Sequence, residues 1–309
     1  MTGDTGSTVP LPTGHGDEPV PEPIWYPGGP IDASLLTGYA DHAARRIWNG
    51  EDRDPQRFYN HGRKIAGLVQ PDESWFQDVL SASGLRDLCQ VGYTTIHNGM
   101  LMAFAERWHP EVSSFHLPRG EITITLDDVT CLLHLPIRGI LLSHGRLTKE
   151  KAMEILIVEL GYDLDDALDK VERSREAHVR FRTLERLYDI ELLAAHQAAG
   201  VEVEADIHRE RALRCYLLYL IGTHLFVDTS STYTDVVYLR YLPDKTRIHE
   251  YNWGAVVLAY SYYKLGEGCL WKARTVADII GWGEVPTYTK LMLRASTFSP
   301  LRGNHVSDA

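Results

Sequence analysis

Residues Thr95 to Pro136 constrain the fold most, because signals for a helix, a turn and a second helix follow one another within this stretch. Thr94 or Thr95 can cap a helix that ends at Pro110. One face of this helix is predicted to be buried, and it consists of Ile96, Met100, Ala103, Phe104 and Trp108. We therefore expect the first element to pack against a core.

A β-hairpin is predicted after this helix. Apolar and polar residues alternate on both sides of Pro118–Glu121, where proline and Gly120 favour a turn. If Leu117 pairs with Ile122 and Phe115 with Ile124, their side chains share one sheet face. The hairpin can then cover the apolar face of the helix.

A second helix is predicted directly after the hairpin. Thr125 is its expected N-cap, and Asp128 stands at the third helical position, where an acid completes a capping box. The helical run from Val129 ends before Pro136. Asp127 and Asp128 also allow an alternative interpretation as part of a carboxylate metal site, although no third ligand is identifiable.

The rest of the chain is predicted to be mainly helical. Ser74, Thr148 and Asn252 are the expected N-caps of three of its helices. The predicted helical segments are Ser74–Ser81, Ser143–Gly161, Leu164–Gln197, Ala205–Ile221 and Trp253–Leu265, and Val236–Leu242 is an element of uncertain type. The expected fold is a mainly α, multihelical globular domain with a small β-hairpin inserted between helices.

Composition divides the chain into regions. A segment rich in Gly and Pro opens it and cannot bury enough apolar surface to order itself. The predicted regions are a disordered tail (1–33), a basic and aromatic arm or linker (34–71), the helical domain (72–270) and a divergent C-terminal tail (271–309).

Several protein classes are disfavoured. The 4 cysteines lack a CxxC pair, so we expect neither a disulfide framework nor a zinc ribbon. The amino terminus resembles no secretory signal, and the apolar stretch Cys215–Phe226 is about half of the roughly 20 residues that a bilayer span needs. We expect a soluble intracellular protein without membrane contact.

No catalytic constellation is recognisable. No metalloprotease spacing, P-loop, GxSxG or dinucleotide-binding motif occurs, so we predict no catalytic, cofactor-binding or metal-binding residue. The histidines in or near residues 95–144 are expected to be satisfied or exposed, and they are His97, His109, His116, His134 and His144.

Arg107 falls within the apolar stripe of the first predicted helix. A cation in that position needs a partner, because an unpaired buried charge is strongly unfavourable. We expect an ion pair with Glu121, Asp127 or Asp128, which would hold the hairpin against the helix.

Basic and aromatic residues alternate between Tyr39 and Ile65. Arg45, Arg46, Arg57 and Arg63 are therefore candidates for nucleic-acid contact. The alternative is that the aromatic residues of this arm pack onto the folded body. Acidic residues within the arm also reduce its net positive charge. A net charge of -11 argues against a protein that coats nucleic acid over its whole surface.

Two later segments carry a high density of charge. Leu164–Gln197 and the acidic Glu202–Asp206 can present a face to protein partners. The plainer interpretation is a solvated outer layer, as charge-rich helices usually are.

Several blocks of the sequence, in the order expected for the family, resemble the plant mobile domain family, which includes the MAIN-like proteins. They are Phe104–Glu111, Ser114–Glu121, Ile122–Val129, Arg214–Gly222 and Tyr251–Ala259. The signature residues that the resemblance marks are Arg107, Trp108, Phe115, Leu117, Gly120, Glu121, Thr125, Asp128 and Trp253. The chain departs from the family at His134, where members usually have glycine, and after Cys269.

The resemblance implies a nuclear protein-interaction module without enzymatic activity. Its implied roles are transposon silencing, genome integrity and meristem maintenance, and its implied partner is a serine/threonine phosphatase-like protein. The alternative that the resemblance leaves open is a transposon-derived nucleic-acid-binding protein or carboxylate-dependent nuclease.

Overall fold

The computed structural model describes residues 29–30, 32–59, 61–90, 98–117, 120–163, 177–227 and 232–277, apart from the side chains of residues 62 and 63. Most of the predicted tails, Thr94, Thr95 and residues 164–176 therefore lie outside the described residues. Within them, helices dominate and strands are short, which confirms the mainly α prediction.

The described elements follow one another in a simple order. The α-helices are α1 (Ala43–Trp48), α2 (Ser74–Ala82), α3 (Asn98–Ala105), α4 (Leu126–Leu133), α5 (Lys149–Leu160), α6 (Phe181–Gln197), α7 (Glu202–His224) and α8 (Trp253–Gly268). The strands are β1 (Arg57–Tyr59), β2 (Trp108–His109), β3 (Ser114–Leu117), β4 (Gly120–Ile122), β5 (His178–Arg180), β6 (Tyr233–Asp235) and β7 (Thr275–Ala277). Short 3-10 segments include Gly62–Gly67, Arg86–Gln90 and Val236–Tyr241.

Helix α7 lies at the centre of the fold. Its second half, which includes Cys215 and Tyr216, is buried on all sides, as its uniformly apolar sequence predicts. Helix α6 packs along it, and α2, α5 and the 3-10 segments contact it as well. The predicted element of uncertain type near residue 240 is a 3-10 segment in this layer.

Helix α8 packs against α3 and α4. Asn252 caps it as predicted, because its Oδ1 accepts a hydrogen bond of 2.8 Å from the Ala255 amide. Gly254 in its first turn lies close to Pro136 and donates its amide to the Pro136 carbonyl at 2.9 Å. A side chain at position 254 would meet Ile137 at 2.7 Å and the Pro136 oxygen at 3.1 Å.

Two of the other predicted caps are also observed, and one is not. The Thr125 and Asp128 capping box is present, and Thr148 accepts from the Lys151 amide at 3.3 Å. Ser74 was wrongly predicted as a cap, because α2 begins at Ser74 and Glu73 occupies the capping position without a side-chain bond. His134 ends α4 with a φ of 53°, a left-handed conformation that explains why glycine suits this position.

The first predicted helix is shorter than its periodicity suggests. It ends at Ala105, and Trp108 lies in β2, where it pairs with Phe115. Extending the helix to Pro110 was therefore wrong. The Trp108 side chain is nevertheless buried as predicted, because it lies on the core-facing side of the strand.

The hairpin is present, but its predicted register was wrong. Phe115 pairs with Ile122, and Leu117 pairs with Gly120. The register differs by two residues, so that Phe115 and Ile122 still share one sheet face. Gly120 has a φ of 134°, a conformation that L side chains rarely adopt, so glycine suits the first position of β4.

Part of the predicted Leu164–Gln197 helix is a strand. His178–Arg180 forms β5, which pairs antiparallel with β6. Helix α6 begins only at Phe181, whose buried side chain packs edge-on against Tyr219 of α7. The strand pairing therefore replaces helical turns at this point.

Close packing at Gly254 gives a test of the fold. We expect Gly254→Ala to lower the free energy of unfolding by about 1–3 kcal/mol, because the added methyl group would push Pro136 and Ile137 away from α8. Gly266→Ala in the same helix is the matched control, since its methyl group would meet only Pro110, at 3.4 Å. Chemical denaturation measures both, and equal effects would contradict this packing argument.

Candidate functional site

The aromatic signature residues form the interior of the hairpin region. Trp108 is completely buried, and its ring centroid lies 4.8 Å from Phe115 and 4.8 Å from Tyr262. Leu117 is buried beside them. Trp253 is also fully buried, and its indole nitrogen donates to the Ile248 carbonyl at 2.9 Å. These side chains contribute apolar burial rather than an accessible reactive group.

Asp128 acts as a capping residue. Its carboxylate accepts bonds of 2.8 Å from both the amide and the hydroxyl of Thr125. In the ranges that the structure describes, no group of three or more His, Cys, Asp or Glu side chains could hold a metal ion. The geometry therefore supports the capping interpretation of Asp128.

Glu121 lies at the surface of the hairpin. Its carboxylate accepts a bond of 3.1 Å from the Ser114 hydroxyl and lies 4.0 Å from Nδ1 of exposed His116. These contacts tie β4 to β3 across the sheet. Such exposed pairs stabilise a fold only slightly.

Arg107 is buried, as its position in the apolar stripe predicts. Its Nη1 donates to the Ala103 carbonyl at 2.8 Å. Burial lowers the pKa of Arg107, and the negative charge of Glu106 opposes this shift. Among the described residues, the preceding Glu106 therefore acts electrostatically on Arg107, and sequence reasoning did not select this acid.

Glu106 also faces a second guanidinium. Nη1 of Arg53 lies 3.5 Å from Oε1 of Glu106, and the two side chains are only 3% and 1% exposed. Burial raises the pKa of Glu106, whereas the positive charges of Arg53 and Arg107 lower it. The buried carboxylate of Glu106 therefore interacts electrostatically with two guanidinium groups.

Arg53 and Gln56 connect this charge cluster to the end of α8. Nη2 of Arg53 donates to the carbonyls of Gly268 at 3.0 Å and Leu270 at 2.5 Å. Nε2 of Gln56 donates to the same Gly268 carbonyl at 2.9 Å. The predicted arm is therefore packed onto the body, and parallel pairing of β1 with β7 extends the contact.

Two stacked histidines adjoin the cluster. The rings of His42 and His109 are 4.6 Å apart and nearly parallel, and both side chains are buried. His42 Nδ1 accepts from the Ala44 amide at 3.0 Å, so we assign the proton to Nε2, which donates to the Trp108 carbonyl at 2.8 Å. Burial lowers the pKa of both, for His109 to about 4, so the stack is uncharged at neutral pH.

Two of the candidate nucleic-acid residues make contacts within the protein. Arg45 donates to the Ala40 carbonyl at 3.0 Å, and Arg46 lies 3.6 Å from Glu51 and over the ring of Trp271. Arg57 is exposed on β1, while the side chain of Arg63 lies outside the described residues. Their role in binding nucleic acid stays a prediction.

Sequence reasoning missed the pairing of Arg53 with Glu106. The available signal was Glu106 itself, an acid that follows the apolar run 100–105 and precedes Arg107 and Trp108. That signal indicates that a partner is needed, but it does not identify a residue 53 positions away in the chain.

Comparisons with known proteins identify relatives by sequence. A sequence model described as plant mobile domain matches residues 84–282, so the match begins and ends later than the predicted domain. No solved structure matches the chain. Within the described ranges, no helix combines the length and apolar character that crossing a bilayer requires.

Three Arabidopsis thaliana proteins illustrate the similarity. Protein MAIN-LIKE 1 is 31% identical over 242 residues, which are 78% of this chain and 45% of that protein. Protein MAINTENANCE OF MERISTEMS is 31% identical over 57% of this chain and 34% of its own length. Serine/threonine-protein phosphatase 7 long form homolog is 30% identical over 82% of this chain and 17% of its own length. The chain thus spans less than half of each relative.

The buried ion pair gives a stability prediction. We expect Glu106→Gln to lower the free energy of unfolding by about 3–5 kcal/mol, because it leaves Arg53 desolvated without a carboxylate. Glu51→Gln is the matched control, since it breaks an exposed pair with Arg46 and should change stability by less than about 1 kcal/mol. Urea denaturation measures both variants, and similar losses would contradict the role assigned to Glu106.

Buried His109 predicts loss of stability in acid. Its ordinary pKa is about 6.5 in the unfolded chain, and burial lowers its pKa to about 4 in the folded protein. The unfolded state therefore takes up the proton first, so this contribution is complete above pH 6.5 and falls by about 1.4 kcal/mol per pH unit toward pH 4. His109→Phe should weaken this pH dependence in denaturation midpoints, and a pH dependence that the substitution leaves unchanged would contradict this assignment.

Proposed function

The chain belongs to the plant mobile domain family, and we propose on that basis that it is a non-enzymatic protein-interaction module that acts in the nucleus. Its proposed roles are meristem maintenance, transposon silencing and genome integrity. The names of the relatives support the first of these, because one of them is called MAINTENANCE OF MERISTEMS.

The observation that carries the proposal is that most of the signature residues are buried in the core or cap a helix. Trp108, Phe115, Leu117 and Trp253 are buried in the core. Thr125 and Asp128 close a helix end. Because these residues pack the core or cap a helix, the signature stabilises the fold, and we assign function to the surfaces around it.

A serine/threonine phosphatase-like protein is a proposed partner. One relative carries the name serine/threonine-protein phosphatase 7 long form homolog, and 82% of this chain aligns with it. We propose that the domain brings such a protein and chromatin-associated silencing proteins together.

The alternative of a carboxylate-dependent nuclease has no structural observation in its favour. Asp128 is engaged by Thr125. Among the described residues, acidic side chains do not converge with other ligands on one point. We therefore carry only the interaction proposal forward.

Affinity purification from plant nuclei tests the proposal. The tagged full chain is expected to be enriched in the nuclear fraction and to recover phosphatase-like, silencing or chromatin proteins. Glu106→Gln is the control for folding, because a variant that has lost its fold should recover fewer of these proteins. A folded chain that is absent from nuclei, or that recovers none of these classes, would contradict the proposal.

A further inference from the structure

A groove lies between the segment before α2 and the second half of α6. Its volume is about 240 Å³, below the roughly 300–1,000 Å³ of small-molecule pockets. Its apolar lining consists of Val69, Pro71, Trp75, Leu192, Ala195 and Ala199. A space of this size and character suits an apolar side chain of another protein better than a cofactor.

The walls of the groove are held in place by hydrogen bonds. The Tyr188 hydroxyl donates to the Val69 carbonyl at 2.7 Å, and Gln77 Nε2 donates to the Pro71 carbonyl at 2.9 Å. Val69 nevertheless keeps 79% of its surface exposed at the rim. The groove is thus preformed and open, which reduces the entropy lost when a partner binds.

The rim of the groove carries an excess of negative charge. Glu73, His196 and Arg209 line it, and Nη1 of Arg209 binds two carboxylates just outside the lining, Glu202 at 2.6 Å and Asp206 at 2.9 Å. Three carboxylates therefore lie at or beside the groove, against one guanidinium. Glu202 and Asp206 remain 70% and 59% exposed in their side chains, so their field extends into solvent.

We propose that this groove, lined by Val69, Trp75 and Ala199, docks a basic segment of another protein that inserts one aliphatic or aromatic residue. The apolar lining removes that residue from water. The carboxylates at the rim attract flanking Lys or Arg residues and repel acidic partners and nucleic-acid backbones. This inference rests on the proposed function only in assuming that the chain binds proteins.

Selection from a random-peptide display library on the immobilised full chain tests the proposal without choosing a sequence in advance. Peptides with an aliphatic or aromatic residue flanked by Lys or Arg are expected to be enriched. Their affinity should fall as salt is raised, since salt screens exposed charges. Acidic enriched peptides, or no enrichment, would overturn the proposal.

Variants locate the binding site. Ala199→Arg fills the groove from an exposed position and should weaken binding of the selected peptide at least about tenfold, or 1.4 kcal/mol. Glu73→Gln should weaken it less, and Glu204→Gln should not, because Glu204 is exposed on α7 and neither lines the groove nor binds Arg209 as Glu202 and Asp206 do. Circular dichroism checks that each variant folds, and binding that survives in folded Ala199→Arg would overturn the proposal.

Two further outcomes separate this inference from the proposed function. Self-association that Ala199→Arg abolishes would assign the groove to a second copy of the chain and overturn the proposal of a basic partner. Ala199→Arg that recovers the same nuclear proteins as the unchanged chain would leave the proposed function standing and refute the groove as their docking site.

Discussion

The buried pair of Arg53 and Glu106 is the interaction on which the arrangement of the fold depends. Both groups have been taken out of water, which is costly for each charge alone, and Arg107 adds a second cation beside the same carboxylate. This is tolerable only when the arm, the hairpin region and the end of α8 are all in place. The hydrogen bonds from Arg53 to Gly268 and Leu270 close that arrangement. Three distant parts of the chain are therefore ordered together.

Short-range signals were sufficient to predict much of the secondary structure. Thr125, Thr148 and Asn252 cap their helices because the required donors lie only three residues away. Trp108 shows where such signals fail. Its spacing from Phe104 fits a helix, yet pairing with Phe115 buries it equally well in a strand. Hydrophobic periodicity alone cannot distinguish these two ways of burying one side chain.

Long-range contacts account for what could not be predicted from the sequence. Arg107 was correctly expected to be buried, whereas the acid that acts on it is Glu106, which faces Arg53 from the arm. Nothing near Arg53 in the sequence distinguishes it from Arg46, which lies at the surface over Trp271. The difference is set by the tertiary fold, because Arg53 reaches the carbonyls at the end of α8 and Arg46 contacts Glu51 and Trp271 instead. The contacts of the candidate site likewise join residues that are distant in the sequence, so the sequence alone does not identify them.

Charge is distributed unequally between the two faces considered for binding. On the arm, the charge of Arg53 is paired with Glu106 in the interior. The arm also carries exposed acids such as Asp54, which pairs with Arg274, so its surface has mixed charge. Beside the groove, Glu202 and Asp206 bind Arg209, which lines it, and their carboxylates remain largely exposed to solvent. A partner with positive charge and one apolar anchor gains from both features of the groove, whereas a phosphate backbone gains little from the mixed charges of the arm. The physical balance thus favours protein recognition at the groove over nucleic-acid recognition at the arm.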